Sequence, residues 1–421
     1  MAAFADQTRH DTDPNSDFAP RPGAIPAAAA RLRAELTRSH DVARAAASIA
    51  QVSRTFSQAS DPLVRETVAA IADRRGWSTA LVQASLAALW APLADAHSLA
   101  LIGHRLESRA EVIGFIMPGN IPGGGLHEVM LTLLTGRAAL LKASVAEVAF
   151  FDGLAQLLEQ IAPDLAARLV MFRWPRAAET FTRSLLESSD RVVALGSDET
   201  LDRLAAIDQA IPLSGFGSRI SGAFVSSTAA DAQTARRLAT DIVLFEQCGC
   251  LSPHHIFVVD RPSGRAEAFA ALLAEAIAEL TVGPLPPARR VPLEAAAQIR
   301  GLREDTRWRA TPGRVRLWEG RGSTVIFDRD ASFRVSPGYR TVFVSAADNL
   351  AQRLATLPGR LEAFAVEYQP RLDDPDEMSH ARAILRASGA SYLCKAGTIH
   401  QPPLDWPHGG GAFLRALGAK P

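Results

Sequence analysis

Apolar residues recur at helical spacing through the first quarter of the chain and then change to short β-type runs. From Ala27 to about Leu99 an Ala/Leu/Arg-rich stretch carries apolar positions three and four apart, as in Leu63, Val64, Val68 and Ile71, then Leu81, Val82, Leu86 and Leu89. That spacing predicts several helices over 27–99, none bearing residues with evident chemistry. From Val112 the pattern alternates. Runs rich in β-branched and aromatic residues at 112–117, 138–142, 169–174, 191–195 and 220–225 are separated by amphipathic stretches near 126–136, 147–160, 177–188, 198–209 and 229–246. Beyond these, strands are predicted at 255–260, 323–328, 341–345, 361–368 and 391–394, with helices near 264–282, 290–300, 347–357 and 376–388. Strand and helix alternating at this interval predict doubly wound parallel sheets. The organisation expected is a flexible lead-in over 1–26, a helical region over 27–99, and two α/β lobes over 100–240 and 241–400. The hinge is expected near Ala239–Phe245, and 401–421 read as a tail packing back on the lobes. No solenoid-type repeat is visible.

Composition narrows the classes. The chain has 421 residues, 48% hydrophobic and 21% charged, enough for two or three domains with cores of their own. Its 45 basic and 45 acidic residues balance, so no global field draws it to nucleic acid or anionic lipid. No apolar run approaches the roughly 18 residues of a membrane helix. The first residues carry Asp6, Asp11 and Asp13 rather than a secretory apolar stretch. Cysteines stand only at 248, 250 and 394, which gives no disulfide framework and suits a reducing compartment. The expectation is a cytoplasmic protein. Lysine occurs only at 142, 395 and 420, so arginine supplies nearly all the basic charge. Lys142 follows an apolar run, where a compact ammonium on a long stem does what a guanidinium fork cannot.

The stretch Asp241–Asp260, DIVLFEQCGCLSPHHIFVVD, concentrates the chemistry. Helical spacing ends near Phe245, a strand begins at His255, and Cys248 and Cys250 lie in the Gly/Ser/Pro turn between. A cysteine on a tight turn between buried elements is held rigidly, as a nucleophile requires. Two small buried hydrophobes are the alternative reading of the same pair. Cys-x-Cys followed by His254 and His255 lacks the ligand spacing of a zinc site, so no metal is expected. A Cys-His acyltransferase or thioesterase, with either histidine activating a cysteine, remains open.

Three further segments sit at predicted strand ends. Pro118-Gly-Asn-Ile-Pro-Gly-Gly-Gly125 follows the first strand and leads into a helix, so backbone can approach a ligand and free N–H groups await it. Within it Asn120 either points its amide into a cleft or caps its own turn. Lys142-Ala-Ser144 ends the second strand, at the edge where a ribose or phosphate meets a parallel sheet. Gly196-Ser197-Asp198-Glu199 is a glycine turn and a helix start: Ser197 suits an N-cap, the acids suit the dipole, and Gly196 permits close approach of a cofactor.

Together these residues resemble the acyl-CoA reductase family, LuxC-like, of the bacterial bioluminescence type, within the aldehyde dehydrogenase superfamily. Phe245-Glu-Gln-Cys-Gly-Cys250-Leu-Ser-Pro253 is similar to the family's Phe-Asp-Gln-Gln-Ala-Cys-Leu-Ser-Pro block around its acyl-accepting cysteine. Pro118-Gly-Asn120-Ile-Pro resembles the oxyanion-hole loop, Lys142-Ala-Ser144 the adenosine-ribose contact, and Leu195-Gly-Ser-Asp-Glu-Thr200 the turn beside the nicotinamide. The endings Ala396-Gly-Thr-Ile-His-Gln-Pro-Pro403 and Trp406-Pro-His408-Gly-Gly410 are also similar, and the likeness runs from about residue 100 to the C-terminus.

The resemblance implies an aldehyde dehydrogenase-like α/β fold with cofactor and catalytic lobes. It implies Cys250 as nucleophile, with Asn120 and the Cys250 N–H as oxyanion donors. Lys142, Ser144, Gly196, Ser197 and Glu199 would then serve the cofactor. It implies fatty acyl-CoA or an acyl-carrier or acyl-protein thioester as substrate, acyl-activating or transferase partner subunits, and a homo-oligomer.

Two departures sharpen this. Pro212-Leu-Ser-Gly-Phe-Gly-Ser-Arg219, where aldehyde-oxidising relatives carry a deacylating glutamate, has no carboxylate, which favours thioester reduction. Val145 stands where NAD-preferring relatives often carry a ribose-binding glutamate, which favours NADPH. A non-catalytic scaffold of the same fold is the other alternative, and acyl phosphate reduction a more distant one.

Overall fold

The computed structural model describes residues 19–208, 210–355, 357 and 360–418. Most of the expected lead-in therefore lies outside the described residues. In chain order the elements are α1 (Ala24–Glu35), α2 (Val42–Ser57), α3 (Pro62–Arg75), α4 (Thr79–Trp90), α5 (Ala96–Arg105), β1 (Val112–Ile116), α6 (Leu126–Leu134), β2 (Ala138–Ala143) and α7 (Val148–Ile161). There follow α8 (Pro163–Ala166), β3 (Leu169–Arg173), α9 (Glu179–Ser188), β4 (Arg191–Leu195), α10 (Asp198–Ile207) and β5 (Leu213–Phe216). The second half contains β6 (Ile220–Val225), α11 (Ala232–Val243), β7 (Pro253–Val258), α12 (Arg265–Val282), α13 (Leu293–Arg309), β8 (Val315–Gly320), β9 (Ser323–Asp328) and β10 (Thr341–Ala346). The chain closes with α14 (Leu350–Leu354), β11 (Leu361–Glu367), α15 (Pro375–Ala387), β12 (Tyr392–Cys394) and α16 (Ala412–Ala416).

The chain divides into two units, one of residues up to 71, 86–218 and 403 onward, the other of 72–85 and 219–402. The first holds a five-stranded sheet in the order β3-β2-β1-β4-β5, parallel throughout. Its strands read as unbroken apolar runs because helices cover both faces; every residue of β1 is buried. On one face Ile25 and Leu32 of α1 pack with Leu140, Phe172, Trp174 and Leu185. Elsewhere in this unit Phe56 of α2 stacks on Trp90 at 5.0 Å between ring centroids, and Ser53 Oγ donates to the Trp90 carbonyl at 2.8 Å. The strand order reverses between β1 and β4, so the crevice of a doubly wound sheet opens above their carboxyl ends. Met117–Gly125 and Gly196–Glu199 issue from those ends.

The second unit holds a seven-stranded sheet in the order β12-β11-β6-β7-β10-β9-β8. It is parallel except for the β8–β9 hairpin at its edge. The division into units falls at Ser218/Arg219. β6 is the reason: it pairs with β7 and β11, and α11 packs on α12 in the same unit. Residues 72–85, expected with the N-terminal helices, also belong here, since Arg289 N–H donates to Gly76 O at 2.7 Å and Phe245 N–H to Ser85 Oγ at 3.0 Å. No single helix among the described residues is long and apolar enough to cross a membrane.

Candidate active site

In the second unit the approach to the cysteines begins with α11. Asp231 caps it by accepting Thr234 N–H at 2.8 Å, and Leu238, Ala239, Ile242 and Val243 form its buried face. The helix ends in three consecutive non-glycine residues with left-handed backbone, Phe245, Glu246 and Gln247, at φ 56°, 52° and 60°. Each such residue costs on the order of 1–3 kcal/mol, so the surroundings must impose the conformation.

They do so residue by residue. The Phe245 N–H bond to Ser85 fixes the first. The Glu246 carboxylate meets Arg340 at 2.7 Å with both side chains fully buried, and accepts Ala288 N–H at 2.8 Å. Gln247 Nε2 donates to the Pro253 carbonyl at 2.6 Å, closing the turn from the far side. Beyond them Ser221 Oγ donates to the Cys250 carbonyl at 2.7 Å. The turn is thus pinned to the amino-terminal ends of β6 and β7.

Its two cysteines differ. Cys248 Sγ donates to the Glu246 carbonyl at 3.4 Å, and burial, then the Glu246 charge, push its thiol up to about 11. It stays a thiol at neutral pH and is a poor nucleophile. Cys250 is half-buried, and its backbone is held by Ser221.

The histidines that follow are structural. Burial lowers His254 to about 4, and its Nδ1 accepts Ser336 N–H at 3.0 Å. Burial, then the Arg334 charge, lowers His255 to about 3; its Nδ1 accepts Arg334 N–H at 3.0 Å and its Nε2 bonds Ser345 Oγ at 2.9 Å. With both ring nitrogens engaged among Phe257, Phe333 and Phe343, His255 has no atom to offer a thiol. Among the described residues no cluster of three or more His, Cys, Asp or Glu is arranged to hold a metal.

α11 also anchors the segment after β12. Gly397 N–H donates to Asp241 Oδ2 at 2.7 Å, Ala396 N–H to Glu367 Oε1 at 2.7 Å, and His400 Nε2 lies 2.8 Å from the Asp241 carbonyl. Burial raises the Asp241 carboxyl to about 8. Sequence reasoning passed over this network because its members lie 29 to 159 residues apart.

In the first unit Asn120, Lys142, Ser144, Gly196, Ser197 and Glu199 all gather at the carboxyl edge of the sheet. Asn120 is exposed on its loop. Gly119 lies so close to Ser144 that a Cβ there would strike the Ser144 hydroxyl. Gly123, at φ 72°, donates its N–H to Glu147 Oε2 at 3.0 Å, and Gly125, at φ 85°, opens α6. Lys142 is half-buried; burial lowers its pKa, and the charges of Arg203 and Arg176 lower it further. No ion pair to Lys142 occurs among the described residues. A glycine loop at a helix start beside an unneutralised ammonium fits a ligand carrying phosphates and ribose.

Ser197 acts as an N-cap, accepting Thr200 N–H at 3.3 Å, and Asp198 Oδ1 accepts Ser218 N–H at 2.8 Å. Glu199 pairs with Arg176 at 3.1 Å. Glu128 went unnoticed in the sequence, and His408 was read only as part of the family-like ending Trp406–Gly410. His408 Nδ1 sits 2.6 Å from Glu128 Oε1, its ring 4.4 Å from Phe216 and 4.5 Å from Trp406. Burial pushes the Glu128 carboxyl up, but His408 outweighs it and holds the group below the usual range. The separation of 280 residues left no local signal.

Two doubly wound α/β units, one with a nucleotide-type crevice and one with a rigid cysteine turn, define the aldehyde dehydrogenase-like fold. An indole-3-acetaldehyde dehydrogenase solved with NAD+ is similar with a TM-score of 0.66 at 16% identity, over 89% of this chain and 80% of that one. An oxidoreductase from Marinobacter aquaeolei gives 0.68 at 15% identity, over 89% and 82%. HpcC from Thermus thermophilus gives 0.62 at 16% identity, over 91% and 83%. At such identities the likeness is one of fold. The family is decided by the acyl-CoA reductase (LuxC) model, which matches residues 107–419; the chain belongs to that family and with it to the acyl-reducing oxidoreductases. No curated protein matches the chain in sequence.

Proposed function

We propose that this chain reduces a fatty acyl thioester, acyl-CoA or an acyl-protein, to the aldehyde with NADPH, through an acyl group carried on Cys250. The observation that carries the reading is the asymmetry of the cysteine turn. Both are half-buried, but Cys248 Sγ is tied to the Glu246 carbonyl with its thiol pushed up to about 11, whereas Cys250 sits on a backbone fixed by Ser221.

The Cys250 thiolate attacks the thioester carbonyl, a carbon–sulfur bond forms, and the bond to the donor sulfur breaks. That sulfur leaves as a thiolate and takes up a proton. The Cys250 N–H and the Asn120 amide hold the oxyanion, each contributing about 3 kcal/mol. The bound nicotinamide supplies the hydride that the acyl carbon receives. The oxyanion this leaves on the carbon held by Cys250 collapses, the bond to Cys250 breaks, and aldehyde and thiolate are released. Lys142, Ser144 and the Gly196–Glu199 turn orient the cofactor. The NAD+ complex of the indole-3-acetaldehyde dehydrogenase relative supports a nicotinamide cofactor, and Val145 supports the phosphorylated form. Pro212–Arg219 offers no carboxylate to activate water, so the acyl-enzyme waits for hydride.

The test is intact-mass and peptide mapping after a long-chain acyl-CoA is added, then again after NADPH. An acyl adduct on Cys250 that disappears with NADPH as aldehyde forms is the expected result. An adduct on Cys248, or none with any acyl donor, overturns it.

A further inference from the structure

The proposed reaction consumes one proton, and the cysteine turn has no group to supply it. Thioester, reduced nicotinamide and a proton become aldehyde, oxidised nicotinamide and free thiol, while Cys250 returns as the thiolate it began as. An alkyl thiol titrates near about 8.5, so at neutral pH the departing donor sulfur has to be protonated. His254 and His255 are kept neutral by burial, and both ring nitrogens of His255 are engaged. Cys248, raised to about 11, is a weaker acid than the thiol it would form.

The first unit holds such a group at the carboxyl edge of its sheet. Glu128 lies buried in the first turn of α6, the helix that the Asn120 loop leads into, and His408 Nδ1 donates to its Oε1 at 2.6 Å. The His408 ring lies against Phe216, the last residue of β5, and the Phe216 carbonyl accepts Gly196 N–H at 3.1 Å. The ring also stacks on Trp406. Gly409 follows at φ 54°, where a Cβ would strike Phe216. Asn120, the Gly196 turn and His408 therefore share one edge.

A carboxylate on Nδ1 fixes the ring's orientation, stabilises the imidazolium and leaves the Nε2 proton to be handed on. Burial works against the Glu128 charge, but His408 outweighs it and keeps the carboxyl ionised. His127, the other titratable group felt at Glu128, is tied by Nε2 to the Leu89 carbonyl at 2.7 Å, and burial lowers its pKa. The His408 side chain is 17% exposed, so water can restore its proton.

We infer that His408, held by Glu128, is the acid that protonates the departing donor thiol. The carbon–sulfur bond to the donor breaks and its electron pair goes to sulfur. That sulfur takes the Nε2 proton, and a proton from water recharges the ring. The inference rests on the acyl chemistry proposed for Cys250, which already draws Asn120 from this edge. His408 is then a catalytic residue and Glu128 a positioning one.

Acylation of the full chain without NADPH tests it, using a long-chain acyl-CoA and the 4-nitrothiophenyl ester of the same acid. The arylthiolate is weakly basic and leaves without a proton. His408→Gln should slow acylation by acyl-CoA at least about 100-fold while the aryl ester stays within about threefold. Glu128→Gln should cost about tenfold on acyl-CoA and nothing on the aryl ester. In the unaltered chain a series of thioesters should show acylation rates nearly independent of the leaving thiol's acidity, and this arm needs no variant to fold. A steep dependence there, no loss in His408→Gln, or equal loss on both esters in a variant that keeps its urea transition overturns the inference and leaves the acyl reading standing. No acylation of Cys250 by either ester in the unaltered chain overturns both.

Discussion

Among single residues, Cys248 and Cys250 are two positions apart and chemically unlike, and the difference lies in what surrounds each sulfur. Cys248→Ser should leave acylation and turnover within a few-fold of the parent, because a thiol raised to about 11 contributes no thiolate at neutral pH. Cys250→Ser should abolish the acyl adduct in the same mass measurement. Glu246 and Arg340 make the sharpest stability case: both are fully buried and hold the left-handed turn in place. Arg340→Met leaves a carboxylate without its partner and should lower unfolding stability in urea by about 3–5 kcal/mol, with Glu246→Gln in the same background recovering part of it.

Asp241 gives a pH signature. Its folded-state carboxyl titrates near 8, above the ordinary value of 3.8, so between those limits the folded chain holds a proton that the unfolded chain has released. Its contribution is complete below about 4 and is lost as pH rises through about 8. His254 and His400, both lowered to about 4, act oppositely and take stability away as pH falls below 6.5 towards that value. Asp241→Asn should therefore gain in melting temperature relative to the parent as pH is raised from about 5 to about 9, and a flat difference would refute the assignment.

For the elements, the glycine loop between β1 and α6 shows how backbone freedom becomes a site. Gly123 needs its φ of 72°, and a Cβ there would lie 2.6 Å from Leu89 and 2.7 Å from Phe150. Gly123→Ala should cost about 1–3 kcal/mol in thermal or urea unfolding and weaken 5′-AMP binding, since the loop cannot keep its path. Most of the β/α alternation was legible, because strands covered on both faces read as continuous apolar runs and the helices as amphipathic ones. β5 and β8 were not. β5 is four residues containing a serine and a glycine, and β8 is an edge strand with no buried residue, so neither carries the apolar run that identifies a strand.

For the whole molecule, the division at Ser218/Arg219 puts the glycine loop and Lys142 in one unit and the cysteine turn in the other. Without a water-activating carboxylate in 212–219, acyl-CoA alone should release one CoA thiol per chain and then stop, with turnover resuming on addition of NADPH; steady hydrolysis without cofactor would favour the thioesterase alternative. The fold class and the family likeness were readable from the sequence, because motif, turn chemistry and hydrophobic period are local properties of a chain. Which sheet β6 joins, which cysteine is held as a thiol, and which partners Glu199, Glu246 and His408 take were decided by tertiary structure. Those outcomes depend on strand pairing and on contacts between residues tens to hundreds of positions apart, and no local pattern encodes them.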